Sequence, residues 1–428
     1  MVRLEEHKHL TENSSIEKIP FSRKVYIPLS QHLGKSCIPE VKIGDSVLKG
    51  QRIASLEAHV YAPIHSSVCG KIIAIQDWPH PTLGRAKAVV IESDGLDKSI
   101  SMESRSEAVV DKLTPEQTRD IIFTAGIVGM GGAAFPTHIK LNPPKSVDTL
   151  IVNGAECEPY LTGDYRLMVE KTKEIIQGIK IVARCLGVKN VYIAIEDNKP
   201  AAIKAFRNEL AALHITHYTL HILPTAYPQG GEKQLVKNIL GREIPRGKLP
   251  FDIGIVVHNV ATLFAVYEAV YSGKPLYERI VTVTGDCLSR PKNILARLGT
   301  PIKELIEFCG PLKEQPVKVI IGGPMMGLAQ YSLDTPIIKS SNGIVLLSEP
   351  ELKPIEEASC IRCGRCVEYC PVGLEPCMIN LADRKNKLDL AQSYGCLDCM
   401  ECGLCDYVCP QKINILQIIR RAKARCLK

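Results

Sequence analysis

Two cysteine runs with one grammar dominate the end of this 428-residue chain. They read Cys360-x2-Cys363-x2-Cys366-x3-Cys370-Pro371 and Cys399-x2-Cys402-x2-Cys405-x3-Cys409-Pro410. Three thiolates at x2 spacing in a tight turn reach three corners of one iron–sulfur cube, and the x3 step with its proline sends the fourth toward a neighbouring cube. On that spacing one [4Fe–4S] cluster takes Cys360, Cys363, Cys366 and Cys409, and the other takes Cys399, Cys402, Cys405 and Cys370. Zinc is the alternative, because Cys-x2-Cys pairs also build tetrahedral sites. Such sites pair two dyads, however, and a four-cysteine run ending in Cys-Pro, twice, fits them poorly. Cys377 and Cys396 stand outside the pattern. They read as buried thiols near the clusters, although Cys396, three residues before Cys399, could also exchange with it as a ligand.

Cysteines arranged for metal imply a reducing compartment, since disulfides would consume the ligands. The N-terminal MVRLEEHKHLTENSS has no apolar run and is not a signal peptide. The nearest approach to a membrane span, Phe251 to Tyr271, is interrupted by Asp252, His258, Asn259 and Glu268, so no transmembrane helix is expected. A net charge of +7 is mild and spread among acidic residues, which with no helix-turn-helix, finger or RNA-binding signature argues against nucleic acid. The basic tail (Lys412, Arg420, Arg421, Lys423, Arg425, Lys428) reads as a solvated helix face, or else as a surface for acidic protein or anionic lipid.

At this length several domains are expected, because single cores rarely grow past about 250–300 residues. Residues 1–30 are polar and read as partly irregular. From Val41 to Ile75 β-branched runs alternate with Gly-Asp and Pro punctuation. Thr114-Pro115-Glu116-Gln117 is a helix start with a capping box, and the helix should run to about Thr124 and stop at Gly126. The loop that follows holds Gly126, Gly129, Gly131 and Gly132, then Phe135, Pro136 and Lys140. Such a loop lets backbone N–H groups approach an anion, although tight turns use glycine too. Strands at 149–153, 190–196 and 218–224, a helical stretch at 164–186 and a helix at 199–213 alternate as in a parallel sheet covered by helices. A loop from Tyr227 to Lys233 opens a helix, and a strand over 251–259 follows. Polar residues just past such strands, Asn153 to Tyr160 and His258 to Thr262, lie where open α/β sheets bind ligands. Residues 275–335 read as two strands around a helix at 301–308, a small β-grasp-like module. Pro350 and Pro354 mark a linker.

These segments carry resemblances. G-D-x-V-x-x-G-Q and A-P-x-x-x-x-V-x-G-K resemble the half-repeats of lipoyl and biotin carriers. With no lysine between Gly50 and Lys71, the module reads as structural and not as a swinging arm. GMGGAAFPTHIK, NGAECEPY, YPQGGEKQL and HNVAT resemble the NADH- and FMN-binding loops of the complex I flavoprotein subunit. With the cysteine runs and the domain order, nearly the whole chain resembles the RnfC family of Rnf electron-transport complexes. Cobalamin reductases of the PduS type share the flavin loops and the double cluster motif, but there the flavin loop is expected near the N-terminus. Three positions depart from the complex I loops: Ala155 and Gly231 stand where acidic residues occur, and His258 where an asparagine occurs.

The resemblance implies a multidomain α/β protein. Residues 1–104 would form a β barrel-sandwich, 105–262 a Rossmann-like FMN/NADH domain, 263–349 a β-grasp (SLBB-like) module, and 350–428 a ferredoxin-like helical domain with two [4Fe–4S] clusters. Gly129, Gly131, Gly132 and Lys140 would hold the FMN phosphate and ribityl side. Asn153 and Glu156 would meet the ring, and Gly230, Gly231, Asn259 and Thr262 would close the pocket. Phe135 would stack on the nicotinamide, with Glu158, Tyr227 and Glu232 helping to bind NADH. Hydride transfer needs no acid–base dyad, so no catalytic residue is assigned. The implied activity is NADH–FMN hydride exchange followed by single-electron passage through the clusters, within an ion-translocating ferredoxin:NAD oxidoreductase. The implied partners are membrane subunits and a soluble ferredoxin or flavodoxin, and the implied location is the cytoplasmic face of the membrane. A corrinoid reductase, or a cluster scaffold with a non-functional nucleotide site, are the alternatives.

Overall fold

The structure is a computed structural model, and it describes residues 1–132, 134–349 and 358–427. Pro350 and Pro354 lie outside the described residues. Near the N-terminus two antiparallel sheets face each other. One orders strands Lys24–Pro28, Gly84–Ser93, Gly70–His80 and Ser46–Val47; the other orders Ile38–Pro39, Arg52–Ser55 and Ile64–His65. Val25, Ile27, Ile53, Ile64, Ile72, Val89 and Ile91 fill the space between them. The two half-repeats bind each other: Gly44 N donates to Ile72 O, Ile72 N to Asp45 O, Gly50 N to Ser66 O and Ser66 N to Gln51 O. This reciprocal pairing is what makes the two Gly-containing turns a sandwich and not two hairpins.

The middle of the chain is a four-stranded parallel sheet, in the order Tyr218–Leu223, Asn190–Glu196, Thr149–Gly154, Ile255–Asn259. Its central strand buries Leu150, Ile151 and Val152 completely, as a strand covered on both faces must. Leu150 and Val152 pack with helices Pro115–Thr124, Thr172–Leu186 and Val260–Ser272. Ile151 packs on the other side with Leu235 and Val236 of helix Glu232–Leu240. Each such side chain contributes about 1.5–3 kcal/mol by burial. The capping box at Thr114 forms as its sequence predicts, with Thr114 accepting from Gln117 N. The stretch 164–186 is two helices, Gly163–Glu170 and Thr172–Leu186, because Lys171 between them leaves helical geometry (φ −132°, ψ 34°). The strand expected from Phe251 begins only at Ile255. Pro250–Ile253 is a 3-10 turn closed by Asp252 accepting from Leu249 N and by Gly254 at φ 81°.

The third sheet has six strands, in the order Ile16–Lys18, Lys292–Arg297, Glu278–Thr284, Gly343–Leu347, Lys318–Ile321, Leu328–Ala329, with helix Ile302–Phe308 against it. It is richer than two strands around a helix, and one edge comes from the chain's own N-terminus. Residues 1–30 are therefore largely ordered. Ile16–Lys18 pairs with Asn293–Leu295, Val2 bridges Tyr227, and Lys8 is buried. The last unit is helical. Pro376–Arg384, Leu388–Ser393 and Ile415–Cys426 pack around Leu374, Ile379, Ile413, Ile415 and Ile419. Its basic residues are not a free face. Arg420 and Lys423 pair with Glu401 at 2.9 and 2.8 Å, and Arg421 and Arg425 both pair with the buried Asp383.

Candidate functional site

The strand order of the parallel sheet reverses between Thr149–Gly154 and Ile255–Asn259, and the carboxyl ends of strands at such a point form a ligand crevice. Asn153 and Asn259 are register partners there. Asn259 caps the helix that follows by accepting from Ala261 N, and its amide donates to Asp164 Oδ2 at 2.6 Å. Asn153 donates to Gly230 O at 2.9 Å and accepts from Ala155 N.

The glycine loop folds over this edge. It is pinned by Met130 N donating to Thr262 Oγ1 at 2.9 Å and by Gly129 N donating to Phe135 O at 2.8 Å. Gly131 and Gly132 are exposed, and Phe135 is half-buried. A Cβ on Gly131 would stand 3.1 Å from Asn259 Cβ, so the loop rests on the strand end only because that side chain is missing. Lys140 ends the short helix after the loop and pairs with Glu232 at 2.6 Å across the rim, both partly exposed. His258 beneath is buried, with Nε2 lacking a partner, and burial holds it well below its usual pKa. Backbone N–H groups, a cation, two amides and an orphaned imidazole nitrogen form a donor set that fits a phosphorylated, heteroaromatic ligand such as FMN.

Three expected site residues are committed to shaping loops. Glu156 accepts from Asp164 N (2.9 Å) and Tyr165 N (3.1 Å) at the start of helix Gly163–Glu170. Glu158 accepts from Met325 N (3.1 Å) and Met326 N (2.8 Å), clasping the third sheet's 323–327 turn. Burial pushes both carboxyls up to about 7, against opposing help from Lys8. Tyr227 is buried, and its hydroxyl donates to Cys402 O at 2.7 Å, into the second cysteine run. Lys8 escaped the sequence reading because nothing in a polar N-terminus marks it. Its ammonium donates to the carbonyls of Glu156, Glu158 and Leu161 at 2.7, 2.9 and 2.6 Å. Desolvation lowers its pKa.

The cysteine runs enclose two voids of similar size, about 390 and 340 Å³ counting space open to solvent. Cys360, Cys363, Cys366 and Cys409 border the first, and Cys370, Cys399, Cys402 and Cys405 the second. Each void thus takes its fourth cysteine from the other run. Among the described residues no group of three or more His, Cys, Asp or Glu could hold a single metal ion. Sulfurs standing around a void suit a cube held at its corners and not a zinc ion at a tetrahedral centre.

The second void adjoins the crevice. Met400, on its wall, reaches the loop before helix Glu232–Leu240, where a Cβ on Gly231 would lie 2.6 Å from Met400 Cε. Gln234 Nε2 donates to Pro371 O at 2.6 Å, and Cys157 Sγ accepts from Gly230 N at 3.2 Å. Tyr227, Cys402 and Leu404, with Val2, Leu4, Cys157, Met325 and Met400, make this junction apolar. The first void lies outward, with Cys360 and Cys363 exposed.

Comparison with known proteins agrees with this arrangement segment by segment. Residues 2–96 match the RnfC barrel sandwich hybrid domain, 122–268 the Nuo51 FMN-binding domain, 280–329 the SLBB domain and 353–374 a 4Fe-4S binding domain. The chain is 47% identical over 426 residues to the RnfC-type component of a proton-translocating ferredoxin:NAD(+) oxidoreductase complex from Clostridium ljungdahlii, covering 99% of this chain and 92% of that one. It is 42% identical to the corresponding component of the Na(+)-translocating complex from Acetobacterium woodii, covering 96% and 94%. An NAD+-reducing [NiFe]-hydrogenase in its H2-reduced state shares the fold, with a TM-score of 0.53 at 16% identity over 77% of this chain and 68% of that one. With near-complete coverage at such identity, and the sandwich, FMN, SLBB and cluster segments in the same order, the chain belongs to the RnfC family of ion-translocating ferredoxin:NAD+ oxidoreductase complexes.

Proposed function

We propose that this chain is the NADH-handling electron-transfer subunit of a ferredoxin:NAD+ oxidoreductase complex coupled to ion translocation. It would hold FMN at the crevice and a [4Fe–4S] cluster in each cysteine void. When bound, FMN supplies the conversion between hydride and single-electron chemistry, and the clusters supply one-electron carriers. The chain's own residues bind, orient and insulate. Lys140 neutralises the FMN phosphate, for which it must exchange Glu232 as partner, while the backbone at Gly129, Gly131 and Gly132 approaches the same group. Asn153, Asn259, Thr262, Gly230 and Gly231 border the ring, Phe135 offers a flat face to the nicotinamide, and the freed Glu232 turns toward NADH. Glu156, Glu158 and Tyr227 serve both ligands through the loops they hold.

The single observation that carries this reading is the apolar contact of Gly231 with Met400. It makes the second void the neighbour of the crevice and the first void the outward terminus, so electrons have a covered route through the chain. Corrinoid reduction gains no comparable support. The partners are the other subunits of the complex, with a soluble ferredoxin or flavodoxin as the remote redox partner. Among the described residues no helix is long and apolar enough to cross a membrane, and we assign the chain to the cytoplasmic face by docking to membrane subunits.

The test is an anaerobic NADH titration of the cluster-reconstituted chain, followed by flavin absorbance and low-temperature EPR. Flavin bleaching with NADH-dependent signals from two clusters is the expected result. Clusters that dithionite reduces but NADH does not, with no flavin bound when FMN is supplied, would overturn it.

A further inference from the structure

Five cysteines, not four, border the first void. Cys377 stands on its wall with Cys360, Cys363, Cys366 and Cys409, and its thiol is hydrogen-bonded to Cys366. The second void has no such extra thiol. Cys396, the other cysteine outside the two runs, instead faces Cys426 with their sulfurs 3.9 Å apart. Cys377 sits in the first turn of helix Pro376–Arg384, behind the buried Pro376. Its backbone is therefore fixed by the helix, and bringing its sulfur to the void requires only a side-chain rotation.

We propose that Cys377 is a reserve ligand of the first cluster. In the intact protein its S–H donates to the Cys366 sulfur, and when Cys366 is displaced Cys377 takes over the same iron. The inference rests on the reading that this void holds a [4Fe–4S] cluster. Thiolates are the metal ligands, and hydrogen bonds to ligand sulfurs tune cluster potential. In the exchange one Fe–S bond to Cys366 breaks and one to Cys377 forms. The proton leaving Cys377 passes to the departing Cys366 sulfur, and no electron is gained or lost. The exchange is directed: Cys377 contacts Cys366, so the corner held by Cys363 has no substitute.

The experiment uses the full chain reconstituted anaerobically, with iron and sulfide analysis, low-temperature EPR and a potentiometric titration. Cys366→Ala should keep wild-type iron content and a four-iron signal from both sites. Cys366→Ala with Cys377→Ala, and Cys363→Ala alone, should each lose the first cluster. Cys377→Ala alone should keep both clusters, with the midpoint of the first shifted to lower potential and the second unchanged. If Cys366→Ala loses as much iron as the double variant, or shows a three-iron signal, the proposal falls. Should Cys366→Ala fail to fold, an unshifted first midpoint in Cys377→Ala would be equally decisive against it. A wild-type chain that takes up no cluster would instead overturn the cluster reading itself.

Discussion

Gly231 and Met400 meet where the crevice loop touches the second cysteine run: a Cβ on Gly231 would lie 2.6 Å from Met400 Cε. The neighbouring glycine is different in kind, since a Cβ on Gly230 would lie 2.6 Å from the main-chain oxygen of Ala155. A methionine methyl can swing aside, whereas a backbone carbonyl moves only with its loop. Gly231→Ala should therefore change FMN affinity less than about twofold. Gly230→Ala should lower it by tenfold or more, about 1.4 kcal/mol. Fluorescence titration of FMN against both variants measures the contrast, and equal effects would contradict the packing argument.

Lys140 and Glu232 pair at 2.6 Å with side-chain exposures of 29% and 38%. An ion pair so exposed contributes at most about 1 kcal/mol to the fold, but a cation on a phosphate in a covered crevice contributes about 1.5–3 kcal/mol. Lys140→Met should thus weaken FMN binding by about 10- to 100-fold while leaving circular dichroism and the unfolding midpoint almost unchanged. A large drop in midpoint would show that the pair is structural instead.

Lys8 satisfies three carbonyls of the loop that carries Glu156 and Glu158. Lys8→Met fills similar volume but leaves those buried acceptors without a donor, at about 1–3 kcal/mol each. The expected outcome is a clear fall in thermal midpoint and faster proteolysis within residues 153–162, with the cysteine clusters still assembled. Wild-type protection in that loop would refute the role.

Glu158 has its folded pKa raised by burial to about 7 from a usual 4.5. Between those values the folded carboxyl still holds a proton that the unfolded one has released, so stability falls as pH rises. Its contribution is whole below about pH 4.5 and is lost as pH passes through 7. The thermal midpoint should decline from pH 5 to 8, and Glu158→Gln, which cannot titrate, should flatten that decline. Unchanged slopes in the variant would assign the dependence to other groups.

Much of the site was legible because its signals are local. The spacing Cys360-x2-Cys363-x2-Cys366-x3-Cys370 states the cluster grammar in eleven residues, and the capping box at Thr114 needs only four. Glycines at 129, 131 and 132 mark the loop whose backbone must come close to something. What stayed hidden was where side chains with several uses would be spent. Glu158 and Tyr227 look like ligand contacts in a motif, yet one holds the Met325–Met326 turn and the other Cys402, 175 residues away. The basic tail looked like a free face, but a helix pattern does not say that Asp383 and Glu401 lie opposite it.

By itself the sequence determined the four modules in order, the parallel sheet with its ligand-bearing edge, and the eight cysteines of two clusters, because spacing and periodicity act within one turn, strand or loop. Only the tertiary structure decided that the N-terminal strand Ile16–Lys18 completes the third sheet, that Lys8 shapes the crevice loop, and that the second void faces the crevice while the first faces outward. Those choices depend on burying apolar surface and pairing polar groups between segments far apart in the chain, and no local pattern encodes which partner will satisfy them.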